Sequence, residues 1–111
     1  MDKLEAFRAL VESDTRARYA ADWERDQKRG HNYPLSVHES HMIARVKMGR
    51  KYANVDVGTS GKYMVELATG AIFGIKAYGV IHRGHQYGTL DTINEWYWGD
   101  YSAHRKQPRA A

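Results

Sequence analysis

The chain has 111 residues, with 17 Lys and Arg against 13 Asp and Glu, six His and no Cys. That length supports one hydrophobic core rather than two, and the absent cysteine excludes disulfides, thiolate metal sites and thiol nucleophiles. The net charge of +4 is shared evenly by the two halves, so it favours a polyanionic partner only mildly.

Residues 1–50 read as helical. Leu4, Phe7, Leu10 and Val11 recur at helical spacing behind Asp2, a suitable N-cap. After Asp14, Ala17, Tyr19, Ala20, Ala21 and Trp23 mark a second face. The pattern fits either one long bent helix or two helices joined near Ser13-Asp14, where Asp14 would cap the second. Lys28-Arg29-Gly30 supplies the basic residues and glycine of a helix end. Pro34 fixes a connector, and Ser36 with Glu39 has capping-box spacing for a further helix that carries Met42, Ile43 and Val46 and stops near Gly49. No apolar h-region opens the chain and no apolar run reaches membrane-spanning length, so a cytoplasmic protein without a membrane partner is expected.

From Tyr52 the apolar period becomes two. Val55 and Val57, then Tyr63 and Val65, then Phe73, Ile75 and Ala77 predict a three-stranded antiparallel meander. Gly58-Thr59-Ser60-Gly61 and Ala68-Thr69-Gly70 are its turns. Residues 78–91 hold Gly79, Gly84 and Gly88, too many for a regular strand interior. They read as an ordered glycine-rich loop with at most a short strand at Val80–His82. Thr92 and Glu95 repeat the capping-box spacing, predicting a short helix through Trp98 that ends at Gly99. The expected fold is therefore α+β in one domain, residues 1–103. Two or three N-terminal helices pack on a small three-stranded sheet, followed by the glycine-rich loop and a short C-terminal helix. Residues 104–111 form a basic tail expected to be disordered.

Residues 58–101 hold eight of the ten glycines and eight of the thirteen aromatics, a mixture suited to a shaped contact surface. Within this block the run GKYMVELATGAIFGIKAYGVIHRGHQYGTLDTINEWYWG resembles one found in short proteins of tailed bacteriophages and prophages. The shared elements are Gly61-Lys62-Tyr63-Met64-Val65, Gly74-Ile75-Lys76, Tyr78-Gly79 and His82 through Thr92. The resemblance implies a phage accessory protein acting inside a bacterial host, and it brings no catalytic or binding residues with it.

His82-Arg83-Gly84-His85 is the sharpest chemical cluster. Two imidazoles three residues apart suit metal ligation, with Asp91 or Glu95 as the nearest third ligand, or acid–base cleavage of RNA with Arg83 on the phosphorane. The plain alternative has one His bonded to the main chain of a tight loop and the other facing solvent. His38 and His41 share a helix face, but Glu39 between them is better used as a cap. No P-loop, dinucleotide fingerprint or nucleophile elbow occurs, and no cofactor is expected. Arg45, Lys47, Arg50 and Lys51 form a basic helix end, yet the connector before it is too long for a helix-turn-helix.

The stronger signal is aromatic and basic residues interleaved. Lys62, Lys76, Tyr78, His82, Arg83, His85, Tyr87 and Trp98 are the expected contact residues, with rings stacking on bases and cations holding phosphates. The leading reading is a non-enzymatic phage accessory protein that binds nucleic acid. The alternatives are a protein-interaction module inhibiting a host enzyme or defence complex, with Tyr87 and Trp98 as anchors, and behind it a small ribonuclease using His82 and His85. Self-association into a homodimer or larger oligomer would cover surplus aromatic surface.

Overall fold

The computed structural model describes residues 2–106. One long helix, α1 (Lys3–Lys28), lies beside a five-stranded antiparallel sheet. Its strands run in chain order: β1 (Ala44–Met48), β2 (Tyr52–Val57), β3 (Ser60–Glu66), β4 (Ala71–Ala77) and β5 (Val80–Thr89). A short ribbon of β6 (Trp96–Tyr97) and β7 (His104–Arg105) follows.

The expected α+β class holds, but the three-stranded sheet, the second long helix and the C-terminal helix do not. Residues 35–48 make only a 3₁₀ turn (Leu35–His38) and one helical turn, α2 (Glu39–Met42), before entering β1. Ala44, Val46 and Met48 alternate with Arg45 and Lys47, and pairing with β2 satisfies this period better than a helix would. Ser36 makes no cap, and Glu39 instead receives the Arg16 guanidinium at 2.7 and 2.9 Å. The glycine-rich residues 80–89 form a strand, because register shifts against β4 absorb what a regular ladder could not. After it, Thr92 Oγ1 accepts the Thr89 N–H rather than capping a helix. One 3₁₀ turn (Ile93–Glu95) leads into β6, whose partners His104 and Arg105 belong to the expected tail. Residues 107–111 of that tail lie outside the described residues.

Helix α1 is one helix, begun by the Asp2 carboxylate accepting the Leu4 N–H at 2.9 Å. It ends in paired bonds from Gly30 N–H to Gln27 O and from His31 N–H to Asp26 O, with Gly30 at φ +92°. This is the Schellman arrangement, which glycine adopts without Cβ strain. Leu4, Phe7, Val11 and Thr15 form its buried stripe, and the Thr15 hydroxyl donates to Val11 O. The second stripe needs no second helix. Trp23 Nε1 and Gln27 Nε2 both donate to Tyr33 O, and Tyr19 packs its ring on His38, so this half of α1 holds the connector. Glu12 accepts the Ala44 N–H and Arg8 donates to Ala44 O, pinning the start of the edge strand to the helix.

The core lies between α1 and one sheet face, formed by Ala53, Val55, Tyr63, Val65 and Ile72. Trp98 completes it with no exposed surface. Its ring centroid sits 4.7 Å from Phe7 and 5.2 Å from Tyr63, both edge-on, the arrangement that aromatic quadrupoles favour. Aromatic contacts thus replace aliphatic ones in a chain of mean hydropathy −0.71. Phe7→Ala should cost about 3–5 kcal/mol in urea unfolding, since it opens a cavity against both rings. Met48→Ala, at a side chain 62% exposed, should stay within about 0.5 kcal/mol of wild type.

Candidate functional site

Two β-bulges build the site. Between β2 and β3, Val55 faces Tyr63 whereas Asp56 faces Gly61, which leaves Lys62 as an extra residue. On a regular strand Lys62 and Tyr63 would point to opposite faces. Here both turn inward, and Lys62 Nζ and Tyr63 Oη each donate to Trp98 O at 3.2 Å. Between β4 and β5, Phe73 faces Gln86 whereas Gly74 faces His82, so Arg83, Gly84 and His85 bulge out of register. Residues 82 and 85 would also point apart on a regular strand. The bulge brings their rings together edge to face, with centroids 3.9 Å apart and planes at 78°.

Both bulges open onto one cleft of about 990 Å³. Its sheet wall carries Lys62, Lys76, His82, His85 and Tyr87. Its helix wall carries Arg18, Tyr19 and Asp22, and Asp100 and Tyr101 stand at the segment that follows β6. Gly74 makes room between these groups: a Cβ there would lie 3.1 Å from Tyr87 Oη and 3.5 Å from His85 Cβ. A cleft of this size sits at the upper end of the range for small-ligand pockets, about 300–1,000 Å³.

The two walls differ in charge. Asp22 and Asp100 are both engaged by Arg18, and Asp100 also bonds His104 at 2.9 Å. On the sheet wall, neither Lys62 nor Lys76 forms an ion pair among the described residues. Burial pulls Lys62 below the ordinary lysine range, helped by Arg18 and opposed by Asp100 and Asp14. Burial likewise lowers His82, and nearby His85 and Lys76 lower it further. Burial raises Tyr63, keeping its hydroxyl a donor.

Of the eight expected contact residues, Lys62, Lys76, His82, His85 and Tyr87 meet in this cleft. The other three do not. Trp98 is sealed in the core, with its indole N–H donating to Ile93 O. Arg83 lies on the opposite sheet face, its guanidinium 5.5 Å above the Phe73 ring, beside Glu66 and bonded to the Tyr52 hydroxyl. Tyr78 is on that face too, donating to Asp56 at 3.1 Å. The plain alternative for the two histidines, a main-chain bond from one of them, is not found either: among the described residues neither imidazole has a hydrogen-bond partner. Asp91 and Glu95 pair with Lys3 and Arg105, and no group of three or more His, Asp or Glu among the described residues is placed to hold a metal. Sequence reasoning passed over Arg18, Asp22 and Asp100, whose spacing carried no signal. Tyr19, on the second face of α1, was the one visible hint.

The Lys62 shift gives a pH dependence of definite sign. Burial disfavours the charged amine, so the unfolded chain holds this proton more tightly than the folded one. Stability from this site therefore rises as pH climbs through the folded value towards the ordinary lysine range. Urea midpoints of wild type and Lys62→Met, taken at pH 7 and again near pH 10, should move relative to each other in favour of wild type at the higher pH. A gap that stays constant would remove the buried-charge account. No helix among the described residues is long and apolar enough to cross a membrane. No family model matches the chain, and no curated protein or solved structure matches it.

Proposed function

We propose that this chain is a non-enzymatic phage accessory protein that binds nucleic acid in the cytoplasm of a bacterial host, and that the cleft beside β3–β5 is where it does so. The observation that carries this reading is the convergence of two unpaired ammonium groups, Lys62 and Lys76, and two unpartnered imidazoles on one wall. Neither lysine has a carboxylate partner among the described residues, so their positive charge is not cancelled inside the protein; Lys62 is held only by the Trp98 carbonyl. Tyr19, Tyr87 and Tyr101 line the same cleft, and Tyr101 is 97% exposed, so flat faces for stacking stand next to the charge.

The ribonuclease reading loses ground on geometry. In-line displacement at phosphorus needs its base and acid on opposite sides of the reacting atom. Two rings with centroids 3.9 Å apart on one wall leave no space for a phosphate between them. A protein-interaction role keeps one specific support. Tyr78 and Val80, 53% and 49% exposed, flank the β4–β5 turn at Gly79 and offer an apolar tip to a host protein or a second copy of the chain.

Fluorescence anisotropy with short single-stranded DNA and RNA tests the leading reading. Affinity should fall steeply with salt, with a log–log slope of about −0.7 per phosphate contacted. Lys62→Gln and Lys76→Gln should each weaken binding and flatten that slope by about one contact. Arg83→Gln removes the same charge from the other face and should leave binding close to wild type. No retention at low salt, or binding indifferent to both cleft lysines, would sink the reading; loss on disrupting Tyr78 and Val80 instead would favour the protein-interaction role.

A further inference from the structure

Lys76, His82 and His85 make a corner of the cleft with an unusual electrostatic state. The imidazoles touch edge to face at 3.9 Å, and Lys76 belongs to the adjacent strand, two residues from Gly74, which pairs with His82. Two charged imidazoles this close, beside an ammonium, repel one another. Among the described residues no carboxylate pairs with them. Asp22 is held by Arg18 and Arg25, and Asp100 by Arg18 and His104, so both carboxylates are directed to other groups. On β3, Lys62 is turned to the Trp98 carbonyl and adds positive charge rather than removing it. His41, at the end of α2, lines the cleft without bringing an anion, and Tyr19, Tyr63 and Tyr87 bring neutral hydroxyls. Among the described residues no carboxylate lies within ion-pair distance of either His82 or His85.

We propose that Lys76, His82 and His85 form a phosphate-binding corner that takes up a proton together with its anion. The proposal deepens the nucleic-acid reading of the same cleft and rests on it for the source of the phosphate. The shared chemistry is a phosphate group, carried by a nucleic-acid backbone or free in solution.

The argument is one of donors and charge. A neutral imidazole presents one N–H and one bare nitrogen, and the bare nitrogen repels a phosphate oxygen. Protonating one ring turns both its nitrogens into donors. Without an anion that proton is opposed by the neighbouring ring and by Lys76. An anion in the corner supplies the missing countercharge, so anion and proton favour each other, and linkage makes the effect reciprocal. The proton affinity of His82 is lowered first by burial and then by His85 and Lys76, the last two in the sense this requires.

Two measurements test it. Imidazole NMR titrations of the full chain in chloride and in inorganic phosphate, at matched ionic strength, should show the His82 and His85 midpoints rising in phosphate. His31, exposed at the end of α1, should not move. Affinity for a single-stranded oligothymidylate should fall by up to about tenfold per pH unit between the midpoint of the free protein and the higher midpoint of the complex, the limiting slope for one linked proton. The His82→Asn/His85→Asn double variant should lose that slope while its urea midpoint remains near wild type. Midpoints indifferent to phosphate would overturn the proposal, even if the oligonucleotide binds. Midpoints that rise in phosphate while no oligonucleotide binds at any pH would uphold the corner and remove nucleic acid as the source.

Discussion

The main chain of Trp98 is the tie on which this architecture depends. Its N–H donates to the Asp14 carboxylate at 2.9 Å, fastening it to the middle of α1. Its carbonyl accepts from both Lys62 and Tyr63, fastening it to β3. Its ring fills the space between Phe7 and Tyr63, with no surface left to solvent. A segment with little regular structure of its own is thereby fixed between helix and sheet. Buried backbone groups require partners, and here those partners come from two distant parts of the chain. Gly99 follows at once because a Cβ there would collide with Asp14 O and with the Tyr97 hydroxyl.

The same tie shapes the cleft. Lys62 would be an ordinary surface lysine if β3 were regular. The bulge turns it inward, and the Trp98 carbonyl holds its amine where burial weakens its hold on a proton. The second bulge does for His82 and His85 what sequence spacing could not, placing both on one face. Bulges of this kind re-aim side chains at the cost of ladder hydrogen bonds. Two of them opening on the same cleft put four nitrogen-bearing side chains on a single wall.

Aromatic residues divide between two jobs. Phe7, Tyr63 and Trp98 are interior, joined through Tyr87 to Trp96 at 5.7 Å, and they supply the volume that scarce Leu and Ile do not. Arg83 caps the far sheet face over Phe73 and Tyr52, which is how Phe73 is only 6% exposed on the side away from α1. That leaves Tyr78 and Tyr101 outward, far fewer rings than the composition of residues 58–101 suggests. The cleft consequently depends more on charge than on stacking.

Local chemistry in the chain was enough to place several elements. The Asp2 cap, the Gly30 helix end, the existence of β2 to β4 and the Gly70 hairpin are each written in a few adjacent residues and form; the inward face of β4 does not follow the reading, since Ile72 enters the core and Phe73 turns to the far face. Of the eight contact residues expected from the sequence, Lys62, Lys76, His82, His85 and Tyr87 line one cleft and Tyr78, Arg83 and Trp98 do not. Local signals misled where a distant partner outbid them. Ser36-Glu39 and Thr92-Glu95 have capping spacing, but β2 captured Ala44–Met48 and β7 captured Trp96–Tyr97. The side of the sheet on which each residue sits was beyond reach as well. Strand orientation has period two, one bulge reverses it, and a bulge exists only in the register between two strands. Tertiary pairing therefore decided that Arg83 and Tyr78 leave the cleft, that Trp98 sinks into the core, and that Arg18, Asp22 and Asp100 arrive from elsewhere to face the histidines.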